Sequence, residues 1–231
     1  MSVVLLRLAG PLQAWGDGSR FLSRQTRREP TKSGVVGLLA AALGRPRDAD
    51  VSDLAALEYA VRIDKPGEVV RDFQAARVPG QKNSMISNRY YLADAVFTAA
   101  LGGDEQLIER IAQALKAPRW PLFLGRRSCP PALPLLLRVD TETVDVRKVL
   151  AEEPWGVSEG YAAFHPTKWL ELVCDGREGE VCEARSDYPL SFDGTEKRQY
   201  GMRAVYTGRV LNPSFVEQDA GRSNEHDPMD F

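Results

Sequence analysis

Residues 31–44, TKSGVVGLLAAALG, have the length of a helix but almost no polar face. Thr31 or Ser33 can cap its start, and Gly44 fits the left-handed stop at its end. A helix that is apolar nearly all round has to be buried, here against a sheet. The chain supplies the strands. Residues 3–8, VVLLRL, read as a buried first strand, joined to the helix by a polar, basic loop over 9–30. Residues 59–64, YAVRID, alternate as a strand; 65–68 form a turn and 69–75 a returning strand. Residues 76–89 are polar and read as a projecting loop. YYLADAVFTAAL, 90–101, reads as one long strand broken by Gly102-Gly103.

Asp104 is a good cap for a second helix, in which Leu107, Ile108, Ile111, Ala112 and Leu115 recur at helical spacing. A stiff basic loop, APRWPLFLGRRSCPP, leads to a strand over 133–139. The order β-α-β, hairpin and loop, β-α-β is the split βαβ pattern of an α+β, ferredoxin-like core over residues 1–140. Right-handed crossovers place both helices on one face of an antiparallel sheet. Residues 141–216 are expected to form a small β-rich appendage, with a short helix over 143–152 and strands over 168–174, 181–187 and 203–211. Residues 217–231 are polar and expected to be disordered.

Charge is divided unevenly. Residues 1–130 carry a net +6 and residues 131–231 a net −8. A basic half joined to an acidic half points to a polyanion on one side, or to uneven surface charge. The longest apolar run, Val35 to Leu43, is too short to span a bilayer. Residues 1–4 lack the basic start of a signal peptide, so a cytoplasmic location and no membrane contact are expected. Cys129, Cys174 and Cys182 suit a reducing compartment, which argues against a bond between the last two. No Cys/His cluster has metal-ligand spacing, and no P-loop, G-x-S-x-G or H-E-x-x-H is present, so neither metal nor cofactor is expected.

Three basic segments are candidate binding sites. The first follows strand one: Arg20, Arg24, Arg27, Arg28 and Lys32 lead into the helix, where Ser33 and free N–H groups favour phosphate. Trp15 either stacks on an exposed base or covers the sheet edge. The second is LGRRSCP. Gly125 permits close backbone approach, and Arg126, Arg127 and Ser128 suit a bent phosphate backbone or salt bridges to the acidic half; Arg119 and Trp120 lie nearby. The third is the projecting loop, with Arg77, Lys82 and Arg89, which inserts between partners, lies over RNA or is disordered. Catalytic groupings are sparse. His165 with Lys168 or Tyr161 is the one candidate for a metal-independent ribonuclease, the alternative function.

In order, LRLAGPLQAWG, PTKSGVVGLLAAALG, VRDFQAA, YYLADAVFTAAL and LGRRSCP resemble the CRISPR-associated CasD family, the type I-E form of the Cas-five group, over about residues 3–139. The resemblance implies a RAMP-type, RRM-like version of the ferredoxin-like core. It implies a non-catalytic Cascade subunit at the foot of the complex, holding the 5′ handle of the crRNA. Its implied partners are the large subunit and the first backbone subunit, with target DNA met only through the guide. Residues 76–89 correspond to the family's thumb, and LGRRSCP to its glycine-rich RNA-contacting loop.

Overall fold

The computed structural model describes residues 1–16, 23–77, 80, 85–132, 134–193 and 198–215. The strands are β1 (Ser2–Ala9), β2 (Leu12–Gln13), β3 (Ser23–Arg24), β4 (Glu58–Lys65), β5 (Glu68–Ala76), β6 (Met85–Ala93), β7 (Val96–Gly103), β8 (Leu136–Asp140), β9 (Trp169–Asp175), β10 (Glu183–Ser191) and β11 (Gln199–Leu211). The helices are α1 (Lys32–Leu43), α2 (Ser52–Ala55), α3 (Glu105–Lys116), α4 (Val146–Glu152) and α5 (Glu159–Phe164). Among the described residues, no helix is long and apolar enough to cross a membrane.

The result is a mixed α/β fold built on antiparallel sheets. Seven strands pair in the order β10-β11-β9-β4-β7-β1-β8. Alternate residues of β1 serve opposite faces, which explains its unbroken apolar run. Val4, Leu6 and Leu8 pack with Val35, Val36 and Leu39 of α1 and with Ile108 and Ile111 of α3. Val3 and Leu5 pack on the other face with Val146, Val149 and Leu150 of α4. As expected, α1 and α3 share one face. Thr31 caps α1 by accepting from the Gly34 N–H, and Gly44 ends it at φ 75°. Asp104 caps α3 through the Leu107 N–H at 3.0 Å.

Three expectations change. First, β5 does not return along β4. Both edges of β4 are taken, by β7 and β9, so β5 leaves the sheet and pairs with β6 from Glu68↔Ala93 to Ala76↔Met85. Ala76 and residues 85–89 of the expected projecting loop thus belong to the strands of a long hairpin, while residues 78, 79 and 81–84, including Lys82, lie outside the described residues. Second, the long strand over 90–101 is broken at Asp94, which has φ 56°. Its N–H donates to the Pro11 carbonyl and its carboxylate pairs with Lys65, so the chain turns from one sheet into the other here. Gly102 and Gly103 stay inside β7, where a Cβ on Gly102 would lie 2.9 Å from Val146. Third, the C-terminal strands are not set apart. β9 pairs with β4 from Ala60↔Cys174 to Ile63↔Glu171 and extends the core sheet. The expected tail, 217–231, lies outside the described residues.

Two buried polar clusters fix this extension. The Lys32 side chain, in a residue only 3 % exposed, donates to Asp175 at 2.8 Å, while the Lys32 backbone N–H donates to Asp187 at 3.0 Å. Arg203 bridges both carboxylates, at 2.7 Å to Asp175 and 2.6 Å to Asp187. On the other face Arg62, fully buried beside Asp64 at 2.6 Å, donates to the carbonyls of Leu150, Glu153 and Pro154 and so closes the end of α4. Asp64 in turn accepts from Thr98 Oγ1 at 2.6 Å and the Gly156 N–H at 3.2 Å.

Removing one member of a buried pair strands its partner. Asp187→Ala, which leaves Arg203 with Asp175 alone and the first amide of α1 without its acceptor, is expected to lower unfolding stability by about 3 kcal/mol. Urea denaturation measures this, and a loss under about 0.5 kcal/mol would contradict the role given to the cluster.

Candidate nucleic-acid interface

A groove of about 900 Å³ runs along the outer side of α1. Its other walls are the loop after β1 (Ala14–Gly16), the loop after α3 (Trp120–Pro130) and the ends of the β10–β11 connection (Phe192, Arg198 and Tyr200). The walls hold their places for local reasons. Gly125 has φ 83°, and a Cβ there would overlap the Ala14 carbonyl oxygen. The close approach that this glycine permits is therefore to the chain's own backbone, where the Ala14 N–H donates to Leu124 O at 3.1 Å. The turn is closed by Leu124 N–H to Cys129 O at 2.8 Å and Cys129 N–H to Arg126 O at 2.9 Å.

The two adjacent arginines of this turn have different work. Arg126 donates to the carbonyls of Tyr90 at 3.0 Å and Arg24 at 2.8 Å, and lies 4.6 Å above the Tyr91 ring. It ties the loop to β6 and β3, so its guanidinium is engaged within the chain. Arg127 is exposed and lines the groove. It makes no hydrogen bond or ion pair among the described residues, and the same holds for Arg47 and Arg198 on the other walls. Arg45, also on the rim, is held by Asp53 through two bonds of 2.5 Å, and this pairing raises its pKa.

The remaining expectations divide. Trp15 is 1 % exposed and is not a base platform. Its indole N–H donates to Gln13 at 3.0 Å, and its ring fills the space that a Cβ on Gly34 would enter, 2.8 Å away. Trp120, 41 % exposed on the groove rim, takes the position of an available aromatic. The N-terminus of α1 is not an open anion site. Asp187 and Thr31 already accept its first N–H groups, and Lys32 is buried against Asp175. Ser33 and Gly125 do line the groove.

Arg24 and Arg28 are exposed on the loop before α1, outside the groove walls. Arg27 donates its backbone N–H to Trp15 O at 2.8 Å. Arg89 sits on β6 opposite Asp72, and Arg77 is exposed beyond the end of β5. Arg119 lays its aliphatic stem over Gly44, 2.6 Å from where a Cβ would be, and Ser128 is exposed beside Cys129. Arg20 lies outside the described residues.

Sequence reading missed Arg45, Arg47, Phe192, Arg198 and Tyr200. Arg45-Pro46-Arg47 follows the Gly44 stop directly and was open to notice. Arg198 and Tyr200 come from the acidic half, and only the pairing of β11 with β9 and β10 brings them here.

Chemistry elsewhere is limited among the described residues. No group of three or more His, Cys, Asp or Glu is placed to hold a metal. His165 stacks on Tyr161 with ring centroids 4.3 Å apart, and its Nδ1 lies 3.2 Å from the Tyr161 carbonyl. It is not on the groove walls. All three cysteines are free, and burial pushes the Cys174 thiol up to about 11.

Known proteins resemble this chain in sequence and fold. Residues 3–206 match the family described as CRISPR-associated protein (Cas_Cas5). The chain is 37 % identical over 180 residues to the CRISPR system Cascade subunit CasD of Escherichia coli (strain K12), covering 67 % of this chain and 79 % of that one. A solved structure described as a crystal structure of Cas protein is 37 % identical with a TM-score of 0.73, covering 94 % of this chain and 98 % of the other. A chain from a CRISPR RNA-guided surveillance complex is 34 % identical with a TM-score of 0.76, covering 92 % and 91 %. With a match across most of its length and two close structural neighbours, the chain belongs to the CRISPR-associated protein (Cas_Cas5) family.

Proposed function

We propose that the chain is a non-catalytic subunit of a type I-E CRISPR Cascade surveillance complex, and that it holds the 5′ handle of the crRNA in the groove along α1. The observation that carries this reading is the set Arg47, Arg127 and Arg198 around a cleft with Trp120 exposed on its rim. Guanidinium forks match phosphate oxygens, and an exposed indole accepts an unstacked base from a single strand. A helix wall and a glycine turn give the strand a rigid bed.

In this reading β4-β7-β1-β8, with α1 and α3 on one face, is a ferredoxin-like, RAMP-type core over residues 1–140. Residues 141–216 brace it. The β5–β6 hairpin, with residues 76–89 as its thumb, meets the neighbouring backbone subunit or bends the RNA. Its exposed Val69, Phe73 and Ile86 suit a protein contact. The large subunit is the other partner, target DNA is read through guide pairing, and the complex works in the cytoplasm. The ribonuclease alternative has no support in the groove, whose walls carry no histidine among the described residues.

The test separates the two arginines of the turn. Arg127→Ala with Arg198→Ala is expected to weaken binding of repeat-derived RNA and reduce the log–log salt slope by roughly 1.4, as two lost single-strand phosphate contacts require. Arg126→Ala should instead lower thermal stability, and weaken RNA binding only through a displaced loop, with the slope nearly unchanged. An unchanged slope in the double variant would remove these residues from the interface.

Trp120→Ala is expected to lose roughly 1–3 kcal/mol of binding if a base stacks there. A binding titration that shows no loss excludes the stacking role. Repeat RNA incubated with the purified chain in EDTA should remain intact on a gel. Cleavage that disappears with His165→Ala would restore the enzyme reading.

A further inference from the structure

Ser33, the second residue of α1, stands on the groove wall. It is only 7 % exposed, and its hydroxyl makes no hydrogen bond among the described residues. The hydroxyl oxygen is not sealed in the core, so what it shows to solvent it shows through the groove. The Ser33 N–H has no acceptor among the described residues either, although its neighbours do: the Lys32 N–H donates to Asp187 and the Gly34 N–H to Thr31.

The surroundings decide what this position takes. Charge beside it is already balanced, with Lys32 and Arg203 meeting Asp175 and Asp187. A phosphate here would gain no free cation and would approach the Asp187 carboxylate, whereas Arg47, Arg127 and Arg198 offer unpaired guanidiniums on the other walls. A neutral hydroxyl, which donates and accepts at once, suits Ser33 better. There is room for the sugar that carries it. Gly37 lies one turn further along the same helix face, and a Cβ there would meet nothing nearer than the Phe192 ring at 3.7 Å.

We infer that Ser33 reads the ribose 2′-hydroxyl of a nucleotide in the groove and so makes the site selective for RNA over DNA. The inference rests on the groove being the RNA site. The arginines bind either backbone, since both carry the same phosphates, and discrimination falls on the sugar. One neutral hydrogen bond changes affinity by about fivefold and leaves the salt dependence alone, because it releases no counterion.

The experiment titrates the full chain with repeat-derived RNA, with the same RNA carrying a 2′-deoxy sugar at one position at a time, and with DNA of the same sequence. RNA is expected to bind the native chain about fivefold or more tighter than DNA, and one 2′-deoxy position should account for most of that difference. Ser33→Ala should weaken RNA binding about fivefold, leave DNA binding within about twofold, and make that position indifferent. Its salt slope and melting temperature should match those of the native chain. Equal losses for RNA and DNA with a lower slope would make Ser33 a phosphate contact. No loss, or a 2′-deoxy position that costs the same in both proteins, would take Ser33 off the sugar. Either result, beside an Arg127→Ala, Arg198→Ala variant that binds RNA and DNA more weakly, overturns this inference alone. No RNA binding by the native chain, or RNA binding that those two arginine changes leave intact, overturns the RNA assignment of the groove and the role of Ser33 with it.

Discussion

Four charged side chains, Lys32, Asp175, Asp187 and Arg203, meet at the point where α1 begins, three of them nearly buried and Asp175 partly exposed. They join elements far apart in sequence: α1, the end of β9, β10 and β11. Buried ions cost stability when a partner is missing, so the cluster favours the arrangement in which these elements meet. Tyr59 of β4 tightens it, donating its N–H to Asp175 at 2.9 Å and its hydroxyl to Pro30 at 2.9 Å. With α1 held at that angle, its buried or half-buried Ser33, Gly34, Gly37, Leu38, Ala40 and Ala41 form one wall of the groove. The acidic half of the chain is thus in part the internal counterion of the basic half. The net charges of the two halves overstate what either shows to a partner.

The loop after α3 illustrates how one short motif divides its labour. Gly125 lets the turn approach Ala14, Arg126 anchors the turn to the hairpin, and Arg127 is left pointing into the groove. Adjacent side chains at a sharp turn diverge, so two identical residues acquire different tasks. Placing the anchor beside the contact means that the position of the contacting arginine is set by its own neighbour. This makes the double substitution of Arg126 and Arg127 a poor probe of either role.

Much of the fold was legible. The amphipathic helix after Asp104 repeats at a helical period and β4 alternates, while the apolar helix over 31–44 was marked by its length and caps and β1 by its short apolar run. What was not legible depended on edges and partners. Nothing near Glu68 says that both edges of β4 are occupied, and nothing in the run from Tyr90 to Leu101 except Asp94 marks the change of sheet. The candidate site was half readable. Arg127, Ser33 and Gly125 were found from local chemistry. Trp15 and Lys32 misled because a tryptophan and a lysine beside a basic loop look alike whether they face solvent or core. Arg198 and Tyr200 could not be found, since a register 13 residues long carries them to the groove from the acidic half.

The central claim is that single-stranded RNA lies in the groove along α1. Ultraviolet cross-linking of repeat-derived crRNA to the chain, within the assembled complex, followed by mass spectrometry of the attached peptides, tests it most directly. The account predicts adducts at Trp120, Phe123 and Tyr200, three of the aromatic side chains of the groove walls. Adducts confined to residues 155–169, around Tyr161 and His165, with none in the groove, would contradict it.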